Sequence, residues 1–572
     1  MQMQWEILQP DRALVQQLQQ HLNCHPIIAT VLANRDIAAP DQADAFLRPS
    51  LEALPSPMLL DGMEAAVERI CHALKHQEKI LVFGDYDADG ITATSVLVSF
   101  LQAAGADVAF HLPHRIEEGY GLLPKHITHL ALPQHCKLII TADCGSSSGE
   151  AIAAARRFNI DVIVTDHHNP SQQLPEALAV INPKKEAQPS PLNDLAGVGV
   201  AFYLSVALRM DLRRQGWWQH REEPNLKAYC DLVAIGTVAD MVPLTGVNRV
   251  LTRAGLDYLN NHPRPGLQAL LEASAIHHLP VSSDDIAYKL APRINATGRM
   301  AHPKFAFDLL NATTADQARD LAETLNILNK RRQSLENKLF NQIVRRLESQ
   351  PGLLKGHSLL LTGENWHPGV LGIVAAKLAA RYYRPVLLLS TREGECKGSG
   401  RSIPQVDLFK ALGHCSALLE SYGGHHQAAG LTFKSENINK VKAAFETAVT
   451  QLLASQNLGP QLNVDCEVRF EQITPRLVDE LQPLEPFGAD NPAPLFLARD
   501  VRVAKAAIVG QRHRRMTLCQ ETQCGPPLGA IQFNLPEDLP RAAYFDTLIF
   551  RLQWNRYKGR KEIQLVVEAS TV

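Results

Sequence analysis

Three short apolar runs rich in β-branched residues each end in acid or imidazole. Lys79–Phe83 (KILVF) runs into Gly84-Asp85-Tyr86-Asp87-Ala88-Asp89-Gly90. Lys137–Thr141 (KLIIT) runs into Ala142-Asp143-Cys144-Gly145, and Asp161–Thr165 (DVIVT) into Asp166-His167-His168. A fourth run is Val108–Leu112, and Ile91–Ala104 and Gly149–Phe158 between the runs carry a helical apolar period. Strands that alternate with helices form a parallel sheet covered on both faces. Ligands of such open sheets collect at the carboxyl ends of the strands. The chain is therefore expected to be α/β, with Asp and His delivered to one sheet edge.

At 572 residues the chain is too long for one core, so two to four domains are expected. Hydrophobic residues are 45% and charged residues 20%, which excludes a disordered or collagen-like chain. No apolar run approaches the ~18–20 residues that span a bilayer, and the start MQMQWEILQPDR lacks the pattern of a signal peptide. The ten cysteines form no CxxC pair, which fits reduced thiols in the cytoplasm. With 57 basic and 59 acidic residues, any nucleic-acid surface must be local. The first ~60 residues look like a helical lead-in closed by prolines. Helical character dominates from about Gly197 to Leu347, where Leu321, Leu325, Leu328, Leu335, Leu339, Ile343 and Leu347 hold a helical period long enough to bridge domains. A second α/β pattern begins at Ser358, and beyond about Gly459 short runs suggest a small β domain.

Asp85, Asp87 and Asp89 at alternate positions repel one another, and a multivalent cation is the economical way to keep all three ionised. An EF-hand loop would need Glu where Val96 stands, and the segment follows a strand rather than a helix. A solvated turn without metal is the bland alternative. Asp143, Asp166, His167 and His168 at neighbouring strand ends, with Asp240 in AIGTVADM, weaken it. Oxygen ligands with one or two imidazoles suit Mn²⁺ or Mg²⁺. Two such ions sharing a carboxylate form a clamp for phosphoryl displacement. No Walker loop and no Gly-x-Ser-x-Gly elbow is present.

The motifs GDYDADG, HRIEEGYG (114–121), TADCG, TDHH, LAGVGVAF (195–202), AIGTVADMVPL (234–244), APRINATGRM (291–300), GSGRS (398–402) and GGHHQAAG (423–430) occur in that order. Together they resemble the DHH phosphoesterase family, and within it the bacterial exonucleases that digest single-stranded DNA from the 5′ end. The resemblance implies a 1–60 helical lead-in, a 61–315 parallel-sheet DHH catalytic domain, a 316–350 connecting helix, a 351–455 DHH-associated substrate-binding domain and a 456–572 OB-like β-barrel that binds nucleic acid.

It further implies two divalent ions, Mn²⁺ or Mg²⁺, on Asp85, Asp87, Asp89, Asp143, His167 and Asp240. Asp87, Asp143 and His168 would be catalytic, Asp143 as the bridging carboxylate and His168 as ligand or proton donor. Asp166 would orient His167. Arg115 would hold a 5′ phosphate and Tyr120 the terminal base, with Arg293, Asn295 and Arg299 lining the same cleft. Ser399, Arg401 and His425 would grip the DNA backbone from the second α/β domain. Ser146 is one departure, since relatives often carry an apolar residue there; it removes no expected ligand. In the barrel, Arg512, Arg514 and Arg515, and Arg551, Arg556, Lys558, Arg560 and Lys561 interleaved with Trp554 and Tyr557, suggest a platform for single strands. The implied activity is hydrolysis of single-stranded DNA to mononucleotides in repair and recombination. The implied setting is a cytoplasmic monomer, with no membrane contact, partnered by a single-strand-binding protein and a helicase. The rivals are a DHH phosphodiesterase for short oligonucleotides or cyclic dinucleotides, and a catalytically inactive DNA-binding scaffold.

Overall fold

The computed structural model describes all residues except 1–3, 171–172, 186–189, 454–458, 460, 511–512, 521–525, 536–541 and 558–559. Five parallel strands form the first sheet, in the order Val108–His111, Ile80–Gly84, Leu138–Ala142, Asp161–Thr165, Ala179–Ile181. In chain order, the second strand of this sheet, Val108–His111, lies on one side of the first, Ile80–Gly84, and the third, Leu138–Ala142, lies on its other side. The strand order therefore reverses beside Ile80–Gly84, and a ligand crevice opens there. Ile80–Gly84 and Leu138–Ala142 are buried at every position, as expected of strands covered on both faces.

Helix Ala88–Ala103 follows directly and is buried on almost every side, between the sheet and helices Gly197–Arg214 and Cys230–Asp240. Its weak amphipathicity has that cause. Its polar side chains are satisfied locally: Thr92, Thr94 and Ser95 donate to the carbonyls of Ala88, Gly90 and Ile91 at 2.8, 2.7 and 2.9 Å.

The expected bridging helix is a single element, Ala315–Ser349, of 35 residues. Its N-terminal half buries Ala318, Ala322 and Leu325 in the catalytic core. Its C-terminal half buries Leu339, Ile343, Val344 and Leu347 against the second α/β unit. That unit is a five-stranded mixed sheet ordered Ser421–Gly424, Ala428–Lys434, Glu395–Arg401, Val386–Arg392, Leu359–Glu364.

The C-terminal strands close on themselves, because Tyr544–Tyr557 pairs with both Arg560–Thr571 and Phe496–Val509. The N-terminal segment does not stand apart as a lead-in. Gln4–Ile7 pairs in parallel with Gln461–Val464, and helices Arg12–Leu22 and Pro26–Ala33 put Leu18, Ile28, Val31 and Leu32 into one core with Phe470, Leu477, Phe496 and Phe550. Arg249, 2% exposed, ties this composite unit to the catalytic helices by donating to the carbonyls of Phe46, Leu484 and Pro483. No helix among the described residues is long and apolar enough to cross a membrane.

Candidate active site

The acidic loop at the switch point is built into helix starts. Asp87 caps helix Ala88–Ala103, accepting the amides of Asp89 and Gly90 at 3.1 and 3.2 Å. Asp89 accepts the amides of Gly197 and Val198 at 2.7 and 2.9 Å, at the positive end of helix Gly197–Arg214. A Cβ on Gly197 would strike the Asp143 carboxylate, so LAGVGVAF needs glycine there. Asp143 itself sits at φ 64°, a left-handed conformation of the kind held at functional sites.

His167 Nε2 lies 3.2 Å from Asp143 Oδ1, 3.4 Å from Asp240 Oδ2 and 3.7 Å from Asp89 Oδ2. Three overlapping groups result: Asp85, Asp87, Asp143; Asp89, His167, Asp240; and Asp143, His167, His168. Within each, ligand atoms lie within 4.8 Å of one another. Asp143 and His167 each belong to two of these groups.

The donors fit a divalent cation. Asp85 Oδ1, Asp143 Oδ1 and His167 Nε2 are buried without a hydrogen-bond partner. Burial pushes the carboxyls of Asp85, Asp143 and Asp240 well up, and neighbouring carboxylates push further. Burial and Asp87 push Asp89 up to about 7. Burial, with the charges of His168 and Lys184, pulls His167 down to about 3, so its ring offers a neutral lone pair. Positive charge placed among these atoms restores the carboxylates to their ionised form.

His168 is half-exposed beside this cluster. Burial would lower its pKa, but the hydrogen bond and charge of Asp166, then Asp240 and Asp85, lift it to about 9. Asp166 Oδ1 lies 2.8 Å from His168 Nδ1, and the Tyr120 hydroxyl lies 3.2 Å from the same nitrogen. Burial opposes the ionisation of Asp166, yet the His168 hydrogen bond and charge hold it well below the usual carboxylate range. Asp166 was expected to orient His167; it holds that residue only by the main-chain amide, at 2.8 Å, and orients the ring of His168 instead. Ser146, the departure noted above, donates its amide to Asp166 Oδ2 at 2.9 Å, and its hydroxyl accepts from Asn182.

Cations face the acids across the cleft. The Arg115 guanidinium lies 4.8 Å over Tyr86, and the Tyr120 ring meets Tyr86 edge-on at 6.5 Å. Burial, then the charges of Arg115, Arg401 and Arg332, lowers Arg299 to about 9. Burial, then Arg115, lowers Arg401 to about 10. Arg299 donates to the Gly369 carbonyl at 3.0 Å, and Arg401 to Gly400 O at 2.7 Å and Ser399 Oγ at 3.2 Å. His425 is lowered by burial, then by His426, Arg401, His168 and Lys184. Arginines from three distant segments thus crowd one another, and an anion between them relieves the repulsion.

Two expected cleft residues have structural ties. Arg293 donates to Lys289 O at 2.7 Å and Asn326 Oδ1 at 3.3 Å, pinning its helix to the long helix. Asn295 accepts the Ala88 amide at 2.9 Å and so steadies the acidic loop. In the barrel, Arg514 is buried and donates to Ala542 O, Arg551 pairs with Glu568, and Arg556 donates to Leu279 O. Trp554 donates to Asp479 at 2.8 Å with Lys561 4.0 Å above its ring, which leaves it a poor stacking platform. Arg512 and Lys558 lie outside the described residues, as do the side chains of Tyr557 and Arg560. Lys184 and Arg332 went unnoticed in the sequence. Lys184 carries no motif, and Arg332, paired with Glu336 at i+4, looks like an ordinary helix-surface cation.

Known proteins share this architecture. Three family models match in order: the DHH family N-terminal domain over 79–237, the DHHA1 domain over 355–451 and the RecJ OB domain over 464–569. The single-stranded-DNA-specific exonuclease RecJ of Bacillus subtilis is 34% identical over the whole chain and 71% of the relative. The protein of that name from Escherichia coli is 34% identical over 95% of both chains. The crystal structure of RecJ in complex with Mn²⁺ from Thermus thermophilus superposes with a TM-score of 0.83 at 29% identity, covering all of this chain and 80% of the other. Extended identity, the order of the three models and the shared architecture together establish that this chain belongs to the RecJ family.

Proposed function

We propose that this chain is a metal-dependent exonuclease that hydrolyses single-stranded DNA from the 5′ end to mononucleotides, in repair and recombination. The observation that carries this is the pairing of an orphaned Asp/His cluster with three mutually repelling arginines across one cleft. Asp85, Asp87, Asp89, Asp143, His167 and Asp240 would hold two ions, Mn²⁺ or Mg²⁺. Bound there, such ions supply an acidified water and neutralise charge on the attacked phosphate.

The chain's own groups do the rest. Arg115, Arg299 and Arg401 draw the phosphodiester backbone into the cleft and hold it against the acids. His168, kept protonated by Asp166, presents a proton beside the reacting phosphate. Tyr120 shares that nitrogen and so fixes both ring and loop. Residues 61–315 carry the chemistry, 351–455 clamp the strand, and the barrel of 456–572 extends its path. An enzyme of this kind requires a strand already parted from its complement, so a helicase and a single-strand-binding protein are fitting partners. A cytoplasmic monomer with reduced thiols completes the proposal; the nine described cysteines are all unpaired.

Digestion of 5′- and 3′-labelled oligonucleotides, single- and double-stranded, with Mn²⁺, Mg²⁺ or EDTA tests it. A labelled mononucleotide should be released at once from the 5′-labelled single strand alone, and only with metal. Early release from the 3′ label, or cleavage in EDTA, would contradict it.

A further inference from the structure

A second cluster of ligand-type side chains, His111, Glu118 and His126, lies outside the catalytic centre, with its ligand atoms within 4.8 Å of one another. Its hydrogen bonds exclude a metal site. The Leu123 amide donates to His126 Nδ1 at 3.0 Å, so the neutral ring carries its proton on Nε2. That nitrogen faces Glu118 Oε2 at 3.1 Å and donates to it. A metal-bound imidazole has the opposite pattern, with one nitrogen on the metal and the other donating.

The carboxylate of Glu118 is therefore the centre of a bracket. Oε2 also lies 2.9 Å from His111 Nε2, at the end of strand Val108–His111. Oε1 accepts the amide of His114 at 2.7 Å, and the main chain closes the same turn through the amide of Glu118 on His114 O at 2.8 Å. One side chain thus joins the strand end, the loop and the short helix Pro124–His126. Arg115 and Tyr120 project from the loop between these anchors, and Gly119 and Gly121 flank Tyr120 at φ 88° and 80°. Each glycine takes a turn that other residues resist, so the loop depends on side-chain ties for a single shape.

We infer that Glu118 is a positioning residue for capture of the 5′ end, its carboxylate fixing the loop that presents Arg115 and Tyr120 to the terminal nucleotide. This rests on the proposed role of Arg115 and Tyr120. Glu118 touches neither the acids that would hold the metals nor, through any contact described above, the substrate. Its loss loosens binding geometry first, reaches His168 only through Tyr120, and leaves the metal-holding acids in place.

The test is steady-state hydrolysis of 5′-phosphorylated and 5′-hydroxyl single strands by the full-length Mn²⁺-loaded protein, wild type beside Glu118→Gln, Glu118→Ala and Arg115→Ala. Glutamine cannot accept from all three donors at once, and alanine accepts from none. Both Glu118 variants should raise KM for the phosphorylated strand about tenfold, with a smaller change in kcat, and flatten the ratio between the two strands. Mn²⁺ affinity should be unchanged. If alanine impairs folding, His111→Gln removes one arm of the bracket and should shift KM in the same direction by less. A folded Glu118→Ala with wild-type KM and ratio, or a loss confined to kcat, overturns the inference. If Arg115→Ala also leaves the ratio unchanged, the assigned role of the loop fails and the inference with it. If Arg115→Ala flattens the ratio while the Glu118 variants do not, only the bracket fails.

Discussion

At the scale of single residues, the cluster is marked by buried ligand atoms without hydrogen-bond partners, Asp85 Oδ1, Asp143 Oδ1 and His167 Nε2 among them. Asp85, Asp87, Asp89, Asp143 and Asp240 follow strand or helix ends in the sequence, and the fold gathers Asp85 and Asp87 beside Asp143, and Asp89, Asp143 and Asp240 around His167. Asp166 holds the ring of His168 rather than that of His167, and spacing does not reveal which, because both imidazoles follow one strand end with ring centroids 4.7 Å apart. Burial gives the cluster a pH signature. The folded pKa of Asp89 is raised to about 7, and Asp85, Asp143 and Asp240 are raised as well. A raised carboxyl binds a proton more tightly in the folded chain, so its contribution to stability is present at low pH and lost as pH rises through the folded value. His168, raised to about 9, has the same sign. Each such carboxyl makes metal-free protein less stable by up to about 1.4 kcal/mol per pH unit in its window, and the half-exposed His168 less, because solvent screens it. Imidazoles held low, His167 at about 3 and His126 at about 4 among them, have the opposite sign and offset part of this loss between pH 6 and pH 8. Acids held low, such as Asp166 and Glu118, are ionised throughout that window and do not contribute to it. Protons and Mn²⁺ compete for the same raised carboxyls, so Mn²⁺ should raise the Tm of EDTA-stripped protein more at pH 8 than at pH 6. Calorimetry at the two pH values checks this; an equal gain would place the acids away from the metal.

At the scale of elements, the apolar runs and the leucine period read directly as strands and the long helix, because burial on both faces or along one stripe leaves an unambiguous pattern. The docking of the N-terminal segment did not, since a helix shows its apolar face but not which distant core receives it. That has a consequence for truncation. A cut near Gly459 removes the barrel that covers Leu18, Ile28, Val31 and Leu32. Each such side chain gives about 1.5–3 kcal/mol on burial, so the loss rivals the whole stability of a typical domain, about 5–15 kcal/mol. The 1–459 fragment should bind a hydrophobic dye and aggregate. A fragment spanning 50–459 should stay folded and hydrolyse short strands, with weakened hold on long ones. Circular dichroism, dye binding and digestion of short and long oligonucleotides check this; dye binding by both fragments would show that the catalytic unit needs the barrel.

At the scale of the molecule, a net charge of −2 conceals a cationic cleft made of Arg115, Arg299 and Arg401 from three separated segments. No window of sequence contains them together, so the cleft was visible only through motif resemblance. Arg401→Ala should weaken binding of every single strand alike and reduce the slope of log affinity against log salt by about 1. Fluorescence anisotropy at several salt concentrations reads that slope, and an unchanged slope would remove Arg401 from the strand's path. The central claim is that one cluster centred on Asp143 holds the ions that make this chain a nuclease. It is tested most directly by measuring Mn²⁺ bound per chain, together with hydrolysis and strand affinity, for stripped wild-type and Asp143→Ala protein. The expected result is about two ions on the wild type, loss of tight Mn²⁺ binding and of hydrolysis in the variant, and near-normal affinity for single-stranded DNA. Wild-type turnover by Asp143→Ala in saturating Mn²⁺ would contradict it.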